Sequence, residues 1–159
     1  MNSRKIFVAT LLLATVPLAA CSDANDAPAD TAAEQLPLEI TNARLVLPPV
    51  SGNPAAVYFD VKNNGTKNYA IRAATVDGAQ NAELHGSMEM DGKMTMDSLG
   101  QVLVNAGKTE TFAPGGYHVM AFDPDPSLEA GGTTEMTLTV VGGKTLSVPV
   151  EVRAAGEDR

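Results

Sequence analysis

Both histidines of this chain, His85 and His118, stand in a fixed pattern with two methionines, Met96 and Met120. The spacing is His-x10-Met-x21-His-x-Met, and five of the seven methionines fall between residues 88 and 120. Thioether sulfur is a neutral, polarisable donor that prefers monovalent copper to hard ions, while imidazole binds borderline metals in general. This mixture of donors predicts a site for a soft metal ion, above all Cu(I).

Local strand pairing predicts how part of this set comes together. The Asp91-Gly92 pair favours a two-residue hairpin, because a type I′ turn needs positive φ at both central residues. Directly opposed residues of a hairpin share a face, so counting outward from the turn places His85, Met94 and Met96 together. Met94 is therefore a candidate auxiliary ligand.

A second pair of donors lies on the next apolar strand. His118 and Met120 are spaced i and i+2, which puts both side chains on one face of a strand. If that strand docks beside the hairpin, two imidazoles and two thioethers converge. Taken singly, each residue is more typical of a core or a surface than of a metal site, so the hypothesis depends on their concentration.

Two more methionines, Met88 and Met90, project from the other face of the predicted hairpin. We expect them to flank the site as auxiliary residues, either packing over the hairpin or offering transient sulfur contacts to incoming copper. Methionine commonly fills cores, and Met136, in a later strand, is expected to do so.

The chain opens with a basic segment, a short apolar run and a cysteine, which is typical of a secretory signal. Leu18-Ala-Ala-Cys21 resembles a bacterial lipobox, so we expect residues 1–20 to be removed and Cys21 to be lipidated. The alternative is an ordinary signal that happens to end in cysteine. The anchor would hold the protein on the periplasmic side of a membrane, and Ser22, in place of Asp, leaves sorting to the outer membrane open.

Charge and composition limit the partners and the number of domains. Removing residues 1–20 moves the formal net charge from −8 to −10, which makes nucleic acid an unsuitable partner. Residues 21–35 are acidic and Ala-rich, as in a solvated tether, although a capped helix is an alternative. Residues 36–152 are long enough for one core, and residues 153–159 are expected to form a tail.

Period-two hydrophobicity dominates residues 36–152, and no window shows a helical period. The turn signals favour a hairpin at Gly142-Gly143. An all-β, cupredoxin-like Greek-key sandwich is predicted; the absence of tryptophan and of a cysteine pair argues against a disulfide-pinned immunoglobulin domain. The nine predicted strands are 38–45, 56–61, 70–76, 82–90, 93–96, 108–112, 117–122, 134–141 and 145–152.

With these residues described, the chain resembles the PCu(A)C family of periplasmic copper chaperones, whose hallmark is the same four-residue pattern. Gly86 and Asp97-Ser98 depart from the residues that many members carry there, and the C-terminal tail lacks the His- and Met-rich extension of some members, so one copper site is expected. The matching segments, all between Leu36 and Val152, are Pro54-Ala-Ala-Val-Tyr58, Asn63-Asn-Gly65, Gly92-Lys-Met94-Thr-Met96 and Pro114-Gly-Gly-Tyr-His118-Val-Met120.

The resemblance implies a cupredoxin-like fold and a solvent-accessible Cu(I) site formed by His85, Met96, His118 and Met120. It also implies delivery of copper to a respiratory cytochrome oxidase subunit, often together with a Sco-like protein of thioredoxin fold. We expect a monomer that contacts the membrane only through its lipid.

Two other functions remain open from the sequence. A tethered copper buffer or resistance protein would use the same site without a dedicated acceptor, and a non-metal sandwich module would use its methionines as an adaptable contact surface. An enzyme is the weakest interpretation, because no nucleophile has a neighbouring base. A blue-copper electron carrier needs a cysteine ligand, and the only cysteine is Cys21.

Overall fold

The computed structural model describes residues 35–90 and 92–157, apart from the side chains of Glu89 and Met90. The predicted signal, Cys21 and the tether up to residue 34 lie outside these residues. The chain from Gln35 to Arg159 is one compact unit. No helix in the described part of the chain is long and apolar enough to cross a membrane.

All nine predicted strands are present, and the all-β prediction is confirmed. One further strand was missed because three residues are too few to show a period of two. The strands are β1 (Leu38–Val46), β2 (Ala55–Asn63), β3 (Tyr69–Val76), β4 (Ala79–Met90), β5 (Lys93–Ser98), β6 (Val102–Val104), β7 (Thr109–Phe112), β8 (Tyr117–Pro124), β9 (Thr133–Val140) and β10 (Thr145–Arg153).

The strands form one sheet in the order β5-β4-β8-β7-β2-β1-β10-β9-β3-β6, with an additional pairing of β8 with β2. Strands far apart in this order, such as β3 and β4, contact each other, so the sheet folds over as a two-layer sandwich. Most neighbours are antiparallel, while β1 with β10 and β7 with β8 are parallel. Strand β5 is at one edge of the sheet, next to β4 and then β8.

Alternation of side chains creates the core between the layers. In β2 the residues Val57, Phe59 and Val61 are buried, and those between them face outward. Phe59 stacks on Phe112 of β7 with ring centroids 4.2 Å apart. Met136 is fully buried, which confirms the prediction that it is a core residue.

Turn chemistry agrees with the predicted hairpins. Gly92, between β4 and β5, has φ 74°, as the proposed turn requires, while its partner Asp91 lies outside the described residues. Gly142 and Gly143 have φ 100° and 83° in the turn between β9 and β10. These positive values suit glycine, which lacks the Cβ that would clash.

Candidate metal centre

The two histidines face each other across neighbouring strands. His85 of β4 is paired directly with His118 of β8, and on its other side with Ser98 of β5. The β4–β5 register is the one predicted from the Asp91-Gly92 turn. Because directly opposed residues share a face of an antiparallel sheet, both imidazoles lie on the outer surface of the same layer.

The two methionines lie on the same face, on opposite diagonals of His85. Met96 of β5 is opposite Ser87, one pleat toward the hairpin turn, and Met120 of β8 is opposite Glu83, one pleat away from it. Diagonal neighbours are about 7–8 Å apart, which is within reach of a long side chain. Thus the structure brings the histidines together directly and places each methionine beside His85.

Hydrogen bonds fix which nitrogen of each ring carries the proton. Nδ1 of His118 lies 3.0 Å from the carbonyl oxygen of Gly116, and Nε2 of His85 lies 3.3 Å from Oε2 of Glu83. Carbonyl and carboxylate oxygens only accept, so each of these nitrogens is the donor. The lone pairs that remain are on Nε2 of His118 and Nδ1 of His85, and these are the nitrogens available to a metal ion.

The Nδ1 atom of His85 is the most informative atom of this site. It is closed off from solvent and has no hydrogen-bond partner among the residues that the structure describes. Leaving a buried polar atom unpaired costs about 1–3 kcal/mol, and an atom that binds a metal ion accounts for that cost. Sites that bind or react commonly hold such unpaired groups.

Ring spacing agrees with shared ligation. The imidazole centroids of His85 and His118 are 5.9 Å apart. With nitrogen-to-metal distances of about 2.0 Å, two imidazoles on one ion have centroids about 5–6 Å apart. The residues present therefore fit a metal ion held between the two rings.

His118 is buried although it lies on the outer face, with only 3% of its surface exposed. Its ring lies beside those of His85 and of Tyr58, whose centroid is 6.2 Å away. Burial lowers the pKa of His118 below its ordinary value of 6.5; the carbonyl of Gly116 opposes this and the charge of His85 adds to it. Burial thus favours the neutral form of the ring, which is the form that binds metals.

The two candidate sulfur ligands differ in exposure. Met96 is 54% exposed on the edge strand, and Met120 is partly buried. Across residues 35–90 and 92–157, no cluster of three or more His, Cys, Asp or Glu side chains could hold a metal ion. Thioethers select soft ions, so Met96 and Met120 are the candidate further ligands for a metal ion bound by the two histidines.

The auxiliary methionines separate as the hairpin register predicts. Met94 is opposite Glu89 and on the face of His85, with its side chain 56% exposed. Met88 is on the other face of β4 and 49% exposed. The side chain of Met90 lies outside the described residues.

Sequence reasoning missed two neighbours of the histidines, Tyr58 and Glu83. Tyr58 comes beside His118 through the pairing of β2 with β8, and the guanidinium of Arg44 lies 5.2 Å from its ring centroid. No local pattern indicates that pairing. Glu83 could have been found, because it precedes His85 by two residues and so shares its face of the strand.

Gly86, one of the departures from the PCu(A)C pattern, has a local packing reason. It is buried next to His85, and a Cβ there would lie 3.0 Å from Cδ1 of Leu99 and 3.5 Å from Cδ1 of Tyr117. The first distance is tighter than ordinary contact, so glycine lets Leu99 pack against the strand. The departure changes the packing on the inner face and leaves the metal-binding face unaltered.

Comparison with known proteins agrees with this architecture. The family model described as "Putative lipoprotein LpqE-like" matches residues 38–152. The chain belongs to this LpqE-like family. "Putative lipoprotein Lxx21020" of Leifsonia xyli subsp. xyli is 34% identical over 99 residues, which are 62% of this chain and 60% of that protein. The chain thus spans about three fifths of the length of this curated relative.

Solved structures extend the comparison to copper proteins. The apo PCuAC domain from PmoF1 is 25% identical, with a TM-score of 0.62, over 74% of this chain and 94% of that domain. The solution structure of CuI-DR1885 from Deinococcus radiodurans is 26% identical, with a TM-score of 0.59, over 82% and 89% of the two chains. The predicted likeness to the PCu(A)C family and its cupredoxin-like sandwich is confirmed.

Proposed function

We propose that this protein is a lipid-anchored periplasmic copper chaperone, which binds one Cu(I) ion through His85, Met96, His118 and Met120. The observation that carries the proposal is the buried, unpaired Nδ1 of His85 beside the ring of His118. A solved structure similar to this chain, that of DR1885, is described as Cu(I)-bound. The donor set of two neutral imidazoles and two thioethers suits that ion.

The surroundings of the ligands suit delivery of copper. A chaperone must hold the ion firmly and still release it, and ligands on an open face can be replaced one at a time by those of a partner. Met96, on the edge strand, is the accessible ligand with which exchange would begin, while His118 would leave last. We propose a respiratory cytochrome oxidase subunit as the acceptor, with a Sco-like thioredoxin-fold protein as a further partner.

The description of the family and the lipobox-like segment support the proposed lipid anchor. The family is described as one of lipoproteins, and Cys21 ends a lipobox-like segment. Acyl chains contribute about 0.8 kcal/mol per buried methylene, and two or more chains make attachment stable. The anchor would keep the copper site on the periplasmic side of the membrane, and the chaperone would carry no catalytic residue.

The test is a Cu(I) titration of the chain from residue 22 to 159 against a chromophoric chelator, under anaerobic and reducing conditions. We expect one tight equivalent, lost in the His85→Ala/His118→Ala variant. Absence of binding to the wild-type chain would overturn the proposal and leave a protein-interaction module. Transfer of the bound copper to an oxidase CuA domain would then distinguish a chaperone from a buffer, which binds copper without passing it on.

A further inference from the structure

Three side chains along β4 form a hydrogen-bonded relay that ends at the copper site. Asn81, Glu83 and His85 are spaced two residues apart, so they share one face of the strand. Nδ2 of Asn81 donates to Oε1 of Glu83 at 3.0 Å, and Nε2 of His85 donates to Oε2 at 3.3 Å. Glu83 therefore uses one carboxylate oxygen for each neighbour.

We propose that Glu83, held in place by Asn81, is a positioning residue that aims Nδ1 of His85 at the bound copper ion. By accepting a hydrogen bond from Nε2–H, the carboxylate keeps the proton on that nitrogen, which excludes it from ligation, and fixes the rotation of the ring. It also increases the basicity of the ring, as carboxylates do behind histidine ligands of metal ions. The inference rests on the proposed function, because it assigns a role at the same site.

The two histidines are oriented by different means, and this makes the relay testable. His118 is held by the backbone carbonyl of Gly116, which no side-chain substitution removes. His85 is held by a side chain that is itself 45% exposed, while the imidazole is only 14% exposed. Replacing Glu83 therefore removes the hydrogen bond that orients His85 and leaves the packing of the hydrophobic core intact.

Glu83 is opposite Met120 in the sheet, so its replacement must be separated from an effect on that methionine. Glu83→Gln keeps the size of the side chain and a carbonyl oxygen that can accept the hydrogen bond from Nε2–H. Glu83→Ala removes the acceptor, and Asn81→Ala removes only its support. Glu151→Gln is the matched control, because Glu151 is an exposed strand carboxylate that pairs with Arg153 two residues away, at 2.9 Å.

The experiment measures Cu(I) affinity by chelator competition in these four variants of chain 22–159, together with the His85 Nε2–H resonance of the copper-free protein. Loss of an outer partner of a ligand usually costs about 10–100-fold in metal affinity. We expect that loss in Glu83→Ala, a smaller loss in Asn81→Ala, and values within about threefold of wild type in Glu83→Gln and Glu151→Gln. We also expect a slowly exchanging Nε2–H resonance in the wild-type chain, which should disappear only in Glu83→Ala.

Several outcomes would overturn the relay. They are wild-type affinity in Glu83→Ala, an unchanged Nε2–H resonance in that variant, and a loss in Glu83→Gln as large as that in Glu83→Ala. If Glu83→Ala does not fold, Asn81→Ala and Glu83→Gln still decide the matter through their relative affinities. If the wild-type chain binds no Cu(I), the proposed function fails, while the resonance of the copper-free protein still reports on the relay.

Discussion

His118 is 3% exposed in the middle of the sheet, whereas Met96 is 54% exposed on the edge strand β5. The imidazole is held by the carbonyl of Gly116 and covered by the ring of Tyr58. The thioether stands on β5, which has β4 on one side and, among the described residues, no strand on the other. The candidate nitrogen ligand His118 is thus enclosed by the fold, while the candidate sulfur ligand Met96 has room to adapt.

A copper carrier must both bind the ion at a defined position and release it. The largely buried histidines suit the first task and the exposed methionine suits the second. Histidines fixed in the fold would set where the ion is bound, because fixing them beforehand reduces the ordering that binding must impose. Methionine, with its three rotatable bonds, can approach the ion, withdraw, and yield to a partner's ligand. Substitutions of the histidines and of Met96 should therefore have different effects on folding.

The largest effect is expected from His118→Ala, which should weaken Cu(I) binding by about 100-fold or more and also destabilise the fold. The side chain is buried, and loss of a buried, hydrogen-bonded group costs roughly 2 kcal/mol of unfolding free energy. Chelator competition and urea unfolding measure the two losses. An unchanged unfolding midpoint would contradict the claim that His118 is an integral part of the fold.

Replacing either sulfur ligand should weaken binding by about tenfold, or about 1.4 kcal/mol. Met96→Leu and Met120→Leu remove sulfur while nearly conserving volume, and Met96→Leu should leave stability unchanged because the residue is exposed. Met136→Leu, in the core, is the matched control and should leave affinity unchanged. Wild-type Cu(I) affinity in all three variants would show that neither Met96 nor Met120 binds the ion.

Acid should weaken Cu(I) binding through the histidines. Protons compete with copper for the imidazole nitrogens, and burial lowers the pKa of His118 below its ordinary value of 6.5, so that protons compete at this ring at a lower pH than at an exposed histidine. We expect Cu(I) affinity to be nearly flat above about pH 7.5 and to fall below about pH 6. Chelator competition from pH 5 to 8 tests this, and constant affinity across that range would exclude histidine ligation.

The same lowered pKa links His118 to the stability of the copper-free protein. A group whose pKa is lower in the folded state binds fewer protons there than in the unfolded chain. Its contribution to stability is present above pH 6.5 and is lost as the pH falls through the folded-state value. The unfolding free energy of the wild-type chain should therefore decrease with acid more steeply than that of His118→Gln, which has no imidazole at this position.

The smallest effects are expected from the auxiliary methionines. Met94→Leu should change equilibrium affinity by less than about threefold, because Met94 is two residues farther from His85 along the hairpin than Met96 is. Met88→Leu, on the opposite face, should change it still less. Stopped-flow transfer of Cu(I) from a chelator would show whether either residue speeds uptake, as transient sulfur contacts predict.

Local sequence signals predicted the parts of the site that depend on neighbouring residues. The Asp91-Gly92 turn fixes the register of β4 and β5, so the placement of Met94 and Met96 relative to His85 could be counted from the turn. The period of two placed His118 and Met120 on one face. These predictions succeeded because hairpin pairing is decided within a dozen residues.

Pairings between distant segments could not be obtained in this way. The direct opposition of His85 and His118 depends on the register of β4 with β8, which are joined through three other elements. The contact of Tyr58 with His118 depends on the pairing of β2 with β8 in the same manner. Only the hallmark spacing of the PCu(A)C pattern indicated in advance that these strands meet.

The most direct test of the copper site is X-ray absorption at the copper K edge on chain 22–159 loaded with one equivalent of Cu(I). We predict two nitrogen ligands at about 2.0 Å, the distance that imidazole also adopts on zinc, and two sulfur ligands. Met96→Leu should then lose one sulfur and keep both nitrogens. A first shell without sulfur, or one without imidazole, would contradict the division of the site into a rigid nitrogen side and an adaptable sulfur side.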